Sequence, residues 1–191
     1  MGAETTGNGL LIERMIGLLV QGYERTVLLS TLAITLLVLI GFRNGAAALL
    51  TLSVAGMGIL ATRASMLVCG ITLNPANLVA VPLILGLGVD NAVHLIHAWL
   101  EGEPIEEVLS QTGRPLAMNA ATSVVGFGGL MLARHNGLYS LGWSLAVGIT
   151  WCWAATMLLV PGTVLILERL RRSGISTLEA PVSYRVYASG G

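Results

Sequence analysis

The sequence predicts an all-α protein, a polytopic membrane helical bundle with about five transmembrane helices. Hydrophobic residues make up 54% of its 191 residues and charged residues only 10%, which is too apolar for a water-soluble domain of this size. The mean hydropathy is +0.80. The charges are also unevenly spread, because Arg63 is the only ionised side chain between Arg43 and Asp90. So long a stretch with one charge belongs in lipid.

The first two predicted spans cover residues 26–42 and 46–69, joined by a tight turn at Arg43. The first span has no charge and would act as its own membrane signal, because residues 1–25 lack the basic start and apolar run of a cleavable signal peptide. The second span is rich in small residues that let helices approach closely in lipid. Arg63 lies in its last third, near enough to the helix end for its side chain to snorkel.

The third predicted span covers residues 77–99 and contains the acidic residue Asp90. The connection that follows, residues 100–115, carries four glutamates with apolar side chains between them. This pattern is typical of a short amphipathic helix at a membrane surface. The last two predicted spans cover residues 116–133 and 138–167.

Five spans place the two chain ends on opposite sides of the membrane, and the excess of arginines on one side predicts which side is cytoplasmic. We expect an extracytoplasmic N-terminal segment at 1–25, a transmembrane bundle at 26–167 and a cytoplasmic tail at 168–191, in a bacterial inner (cytoplasmic) membrane. No basic face suggests a nucleic-acid partner. Cys69 and Cys152 lie in apolar segments without metal-type spacing, which predicts small buried hydrophobic side chains.

Asp90 is the leading candidate for a functional residue. It lies about thirteen residues into its span, somewhat past the membrane midplane. A carboxylate at that depth costs on the order of 2.5–3.5 kcal/mol on insertion scales, so such acids usually face a bundle interior, pair with another group or titrate. Loss of water favours the neutral form, which makes proton exchange near neutral pH feasible. The alternative is a hydrogen-bonded acid with a purely structural role.

His94 and His97 share a helix face with Asp90, at spacings i, i+4 and i+7. The three residues form a candidate proton relay toward the cytoplasmic end, because histidine titrates near neutral pH. The histidines could equally anchor the helix end. A metal site at these residues is less favoured because no cysteine or second acidic cluster completes it, and no cofactor is predicted.

The supporting residues flank Asp90 or lie on the fourth span. Glycines near the acid leave room for a helix or a water molecule, and small or hydroxyl-bearing residues on the fourth span suit helix contact. No nucleophile with a base and an oxyanion site is apparent, so no enzyme is predicted. The predicted supporting polar residues are Asn91, Thr122 and Ser123, and the predicted helix-packing glycines are Gly86, Gly88, Gly126 and Gly128.

Four segments stand in a specific order: GITLNPAN at 70–77, PLILGLGVDNAVHLIH at 82–97, TGRP at 112–115 and GFGGL at 126–130. In order and spacing they resemble the resistance-nodulation-division (RND) superfamily, especially its lipid-exporting branch of MMPL-type and hopanoid transporters. Members have two similar six-helix halves, and this chain looks like the second to sixth helices of the C-terminal half. The resemblance implies that Asp90 matches the proton-carrying acid on the fourth helix of the family.

The departures from the family pattern limit what the resemblance implies. Many members have Tyr after the acid, where this chain has Asn91. Each half of a family member also carries a large extracytoplasmic (porter) domain between its first and second helices. We find no counterpart in this sequence of the first helix, of either porter domain or of the other half. The resemblance implies a module of a proton-motive-force-driven exporter of hydrophobic or lipid-like substrates, surrounded by membrane lipids. It would need a second copy or a separate half-transporter chain, unless it is a truncated half.

Two other interpretations remain open. The five-helix unit also resembles a sterol-sensing domain, which would make the chain a lipid-binding or sensing module that does not transport. A third interpretation is a non-functional fragment of a split gene.

Overall fold

The computed structural model of the chain describes residues 3–42, 44–72 and 74–172, and these residues form a helical bundle without a β-strand. Five helical segments are long and apolar enough to cross a membrane. The predicted all-α bundle is therefore confirmed. The helices are α1 (Ala3–Gly41), α2 (Gly45–Val68), α3 (Pro75–Leu78), α4 (Ala80–Leu100), α5 (Ile105–Gln111), α6 (Gly113–Gly128) with a 3₁₀ turn (Gly129–Leu132), and α7 (Asn136–Arg172).

The first and last helices extend beyond the spans that hydropathy predicts. α1 begins at Ala3, although its apolar membrane-spanning part begins only at Gln21. α7 continues to Arg172, past the predicted end of the span at residue 167. The remainder of the predicted cytoplasmic tail, 173–191, lies outside the described residues.

The core of the bundle is the contact among α2, α4 and α7. Cys152 of α7 is fully buried, as predicted, and lies against Gly58 of α2 and Gly88 of α4. Its thiol donates a weak hydrogen bond to the carbonyl of Ile84, 3.7 Å away. Because both glycines lack a side chain, the three helices approach closely around one sulfur atom. Cys69, in contrast, is exposed just after α2 ends, so the prediction that it is buried was wrong.

The connection between α2 and α4 is held by asparagines. The Asn77 backbone N–H donates to the Asn74 side chain at 2.9 Å, and the Asn74 backbone N–H donates back to the Asn77 side chain at 3.0 Å. This is a capping box, which satisfies the free donors at the start of α3. The Asn74 amide also donates to Ser140 on α7 at 2.6 Å. We call this end of the bundle the Asn74 end.

The opposite end of the bundle carries α5, which we call the α5 end. Ile105 and Val108 are buried against the bundle, whereas Glu106 and Glu107 are exposed. The helix is thus amphipathic, and its position at a membrane surface stays a prediction. α1 lies at the edge of the bundle: Val38 is among its few buried side chains, and most of its leucines are more than half exposed.

Candidate functional site

Asp90 lies at the middle of α4, ten residues from either end of the helix. At 1.5 Å per residue this places it about 15 Å from each helix end. The side chain points out of the bundle, with 55% of its surface exposed. The sequence left open whether such an acid faces a bundle interior, pairs with another group or titrates; among the described residues Asp90 lies on an outer face and beside His94.

Two acid–imidazole pairs follow one another along this face of α4. Nε2 of His94 lies 3.4 Å from Oδ1 of Asp90, and Nδ1 of His97 lies 3.3 Å from Oε1 of Glu101. The row therefore runs from mid-helix to the α5 end. Glu101 was not predicted as a site residue, although its spacing of four from His97 is the spacing at which helix side chains meet.

A groove of about 450 Å³ lies between α1 and α4 beside this row. Its walls are mostly apolar, and Asp90 and His97 are its titratable lining residues. A groove of this volume is within the range of ligand pockets, which typically are apolar with a few polar groups. It is lined by Ile34, Leu37, Val38, Gly41 and Phe42 of α1 and by Gly86, Val89, Asp90, Val93 and His97 of α4.

Asn91, the residue after the acid, faces the other way. It is 2% exposed, and its side-chain oxygen has no hydrogen-bond partner among the described residues. The indole N–H of Trp153 on α7 is also buried and lacks a partner there. Unpaired buried groups cost about 1–3 kcal/mol each, so these two atoms are places where a water molecule or a shifted helix could add hydrogen bonds.

The predicted supporting residues of α6 make local contacts. Thr122 is exposed, and its hydroxyl donates to the backbone carbonyls of Met118 and Asn119 at 3.0 and 2.9 Å. Ser123 is half-buried. The described side chains thus place no hydrogen bond between these residues and Asp90, and their supporting role stays a prediction.

The four predicted packing glycines differ in their surroundings. A Cβ atom at Gly88 would lie 2.8 Å from the Cys152 sulfur, so this glycine is at a close helix contact. A Cβ atom at Gly86, Gly126 or Gly128 would meet nothing within 4 Å. These three make no close contact with another helix among the described residues, and their packing role stays a prediction.

Chemically, the face offers a carboxyl group that can exchange a proton with an adjacent imidazole. Nowhere in the described ranges do three His, Cys, Asp or Glu side chains gather as a metal site requires. An acid beside an apolar groove, followed by a second acid–imidazole pair, instead suits proton transfer along a helix.

Comparison with known proteins identifies the family. The family model described as Patched SSD matches residues 18–166. The chain belongs to the Patched SSD family. The matched residues include all of α2–α6 and the site on α4.

Three curated relatives resemble this chain. A membrane protein from Methanocaldococcus jannaschii is 30% identical over 172 residues, which cover 86% of this chain and 44% of that protein. The hopanoid transporter HpnN from Burkholderia multivorans is 31% identical over 144 residues, or 75% of this chain and 16% of that transporter. HpnN from Rhodopseudomonas palustris is 30% identical over 176 residues, which cover 91% of this chain and 20% of that transporter.

The chain thus spans less than half the length of each of these relatives. The matches confirm the resemblance to RND-superfamily hopanoid transporters and to the sterol-sensing unit, and the chain is a multi-pass membrane protein. No solved structure matches significantly.

Proposed function

We propose that the chain is the transmembrane module of a proton-driven exporter of hydrophobic or lipid-like molecules in a bacterial inner membrane. Asp90 is the group that gains and loses the proton. The observation that carries this proposal is the position of Asp90, at mid-helix and on the wall of an apolar groove. The hopanoid transporters among the relatives support the class of substrate.

The exposure of Asp90 supports a second chain in the working assembly. A charged side chain facing hydrocarbon at mid-membrane costs on the order of 2.5–3.5 kcal/mol on insertion scales. A second copy, or a separate half-transporter chain, that covers this face of α4 would remove the carboxylate from lipid. Protonation removes the same cost, so the protonation state of Asp90 would affect how the two chains pack.

The two pairs on α4 give the proton a route to the α5 end. Asp90 would exchange its proton with His94, and the His97–Glu101 pair would receive it nearer the membrane surface. Each pair joins groups one helical turn apart, about 6 Å along the axis. A water molecule or a side-chain rotation would have to bridge the gap between His94 and His97.

The experiment uses the purified chain in liposomes with an imposed pH gradient. Efflux of a fluorescent hydrophobic substrate and the internal pH are followed together. Asp90→Asn should abolish proton-linked flux, whereas Glu106→Gln, which removes an exposed acid of α5, should leave it unchanged. Proton-linked flux that persists in Asp90→Asn contradicts the proton-carrying role.

A second candidate function is a lipid-binding or sensing module that does not transport. The groove of about 450 Å³ and the match to the Patched SSD model favour it. In this case a radiolabelled polycyclic lipid should bind the chain equally well with Asp90 or Asn at that position. No variant should then show proton-linked flux.

A further inference from the structure

Arg63 places a permanent positive charge inside the second membrane span. It lies five residues before Val68, the last residue of α2, which is about 7.5 Å from the helix end. Its side chain is exposed at the surface of the bundle. A guanidinium in this position must reach the headgroup region or find a negative partner.

No acidic side chain neutralises Arg63 within the part of the chain that the structure describes. The acids that lie beside a basic side chain there, Asp90 and Glu101, do so with histidines of α4. Arg63 lies close enough to Tyr23 on α1 for its charge to act on that side chain. The described side chains therefore leave its charge available to an anion.

Tyr23 and Arg63 lie at the same depth in the membrane. Tyr23 is eighteen residues before Gly41, the end of α1, and Arg63 is eighteen residues after Gly45, the start of α2. Both are thus about 27 Å from the turn that joins the two helices. This is near the far edge of a hydrocarbon core about 30 Å thick, where lipid phosphates begin.

The groups around Arg63 offer acceptors but no negative charge. Arg63, Thr62, Asn77 and Ser144 line a small cavity of about 10 Å³, room for about one water molecule. The side chains of Thr62, Asn77 and Ser144 each donate to a backbone carbonyl, so the hydroxyl protons of Thr62 and Ser144 are already used. The cavity can hold a water molecule against one edge of the guanidinium, and this exposed side chain has further N–H donors for an anion.

We infer that Arg63 and Tyr23 bind the phosphate of an anionic phospholipid in the leaflet at the Asn74 end of the bundle. The planar guanidinium matches two phosphate oxygens, and the phenol can donate to a third. One phosphate held in this way connects α1 to α2. Because α1 buries few of its side chains, such a connection would hold it against the rest of the bundle.

The test measures lipid binding to the purified full chain by native mass spectrometry. The probes are phosphatidylglycerol, phosphatidylcholine and inorganic phosphate. Arg63→Gln should weaken phosphatidylglycerol binding about fivefold, the effect of one basic side chain near an anionic headgroup. Tyr23→Phe should weaken it less, and Arg63→Lys should retain part of it. The matched control is Arg134→Gln, which removes an exposed arginine at the same end of the bundle.

A second measurement follows the structure of α1. Phosphatidylglycerol should slow hydrogen exchange of the backbone around Tyr23, and this protection should be absent in Arg63→Gln. The inference is overturned if Arg134→Gln weakens binding as much as Arg63→Gln, which indicates general charge attraction. Equal binding of phosphatidylcholine also overturns it, and so does saturation of the site by inorganic phosphate alone, since the ligand would then be a free anion.

Discussion

Replacing Gly88 with alanine tests the close contact at the core of the bundle. The added Cβ atom would lie 2.8 Å from the Cys152 sulfur, 3.3 Å from the Cys152 Cβ atom and 3.6 Å from the Ala55 Cα atom. Favourable contacts between heavy atoms lie at about 3.5–4.0 Å. The methyl group can fit only if the Cys152 side chain, α4 or α7 moves, and Cys152 is fully buried.

The expected change in stability on Gly88→Ala follows from two opposing effects. Overpacking a well-filled core costs about 1–3 kcal/mol, whereas replacing glycine with alanine inside a helix gains about 0.5–1 kcal/mol. Gly86→Ala is the matched control, because a Cβ atom there meets nothing within 4 Å. The helix gain is common to both variants, so Gly88→Ala should be less stable than Gly86→Ala by about 1–3 kcal/mol.

The assay is reversible unfolding in mixed micelles, followed by far-ultraviolet circular dichroism as denaturing detergent is added. Cys152→Ala removes the sulfur atom that the new methyl group would touch. In that background the difference between the two glycine variants should shrink to about 0.5 kcal/mol or less. Equal stabilities of Gly88→Ala and Gly86→Ala, or a difference that Cys152→Ala leaves unchanged, would refute the contact among the three helices.

Three further predictions concern caps, thiols and packing. Asn74→Ala should destabilise the protein by about 1–2 kcal/mol in the same unfolding assay. Asn44→Ala should destabilise it less, because the Asn44 side chain makes one exposed capping bond at the start of α2, whereas the Asn74 side chain also donates a hydrogen bond to Ser140 on α7. Cys69 is exposed and should react with a membrane-impermeant maleimide applied from the extracytoplasmic side, whereas the buried Cys152 should react only after unfolding. If Cys69 is labelled only from the cytoplasmic side, the predicted orientation is reversed. Leu95→Ala should cost about 2–5 kcal/mol in the unfolding assay, because the side chain is fully buried, and a cost below 1 kcal/mol would contradict its place in the core.

The sequence was sufficient to predict the membrane spans. Hydropathy reports how much apolar surface a segment of about 20 residues carries, and that alone determines whether it can lie in lipid. It does not report where a helix stops once it leaves the membrane. Residues 3–25 and 168–172 continue α1 and α7 as helix, although their charges end the apolar runs.

The direction in which Asp90 points could not be predicted. The shared polar face of Asp90, His94 and His97 did not decide the matter, because in a membrane such a face can meet either the bundle interior or another chain. The contact with Cys152 turns Gly88 inward, and a residue two positions further along a helix then points away. The same contact gives Gly88 a different role from Gly86. The sequence does not distinguish these two glycines, because they differ only in what lies opposite them in the folded bundle.

In the proposed transporter, Asp90 would serve both the groove and the proton relay, and so would connect ligand and proton. An apolar molecule in the groove between α1 and α4 would remove water from the carboxylate, which penalises the charged form. Such a molecule would then bind more tightly to the neutral carboxyl group, and by reciprocity its binding would favour that form. A proton that leaves through His94 would then weaken the hold on the molecule. Coupling of this kind needs no contact between the ligand and the histidines, because the carboxyl group is common to both processes.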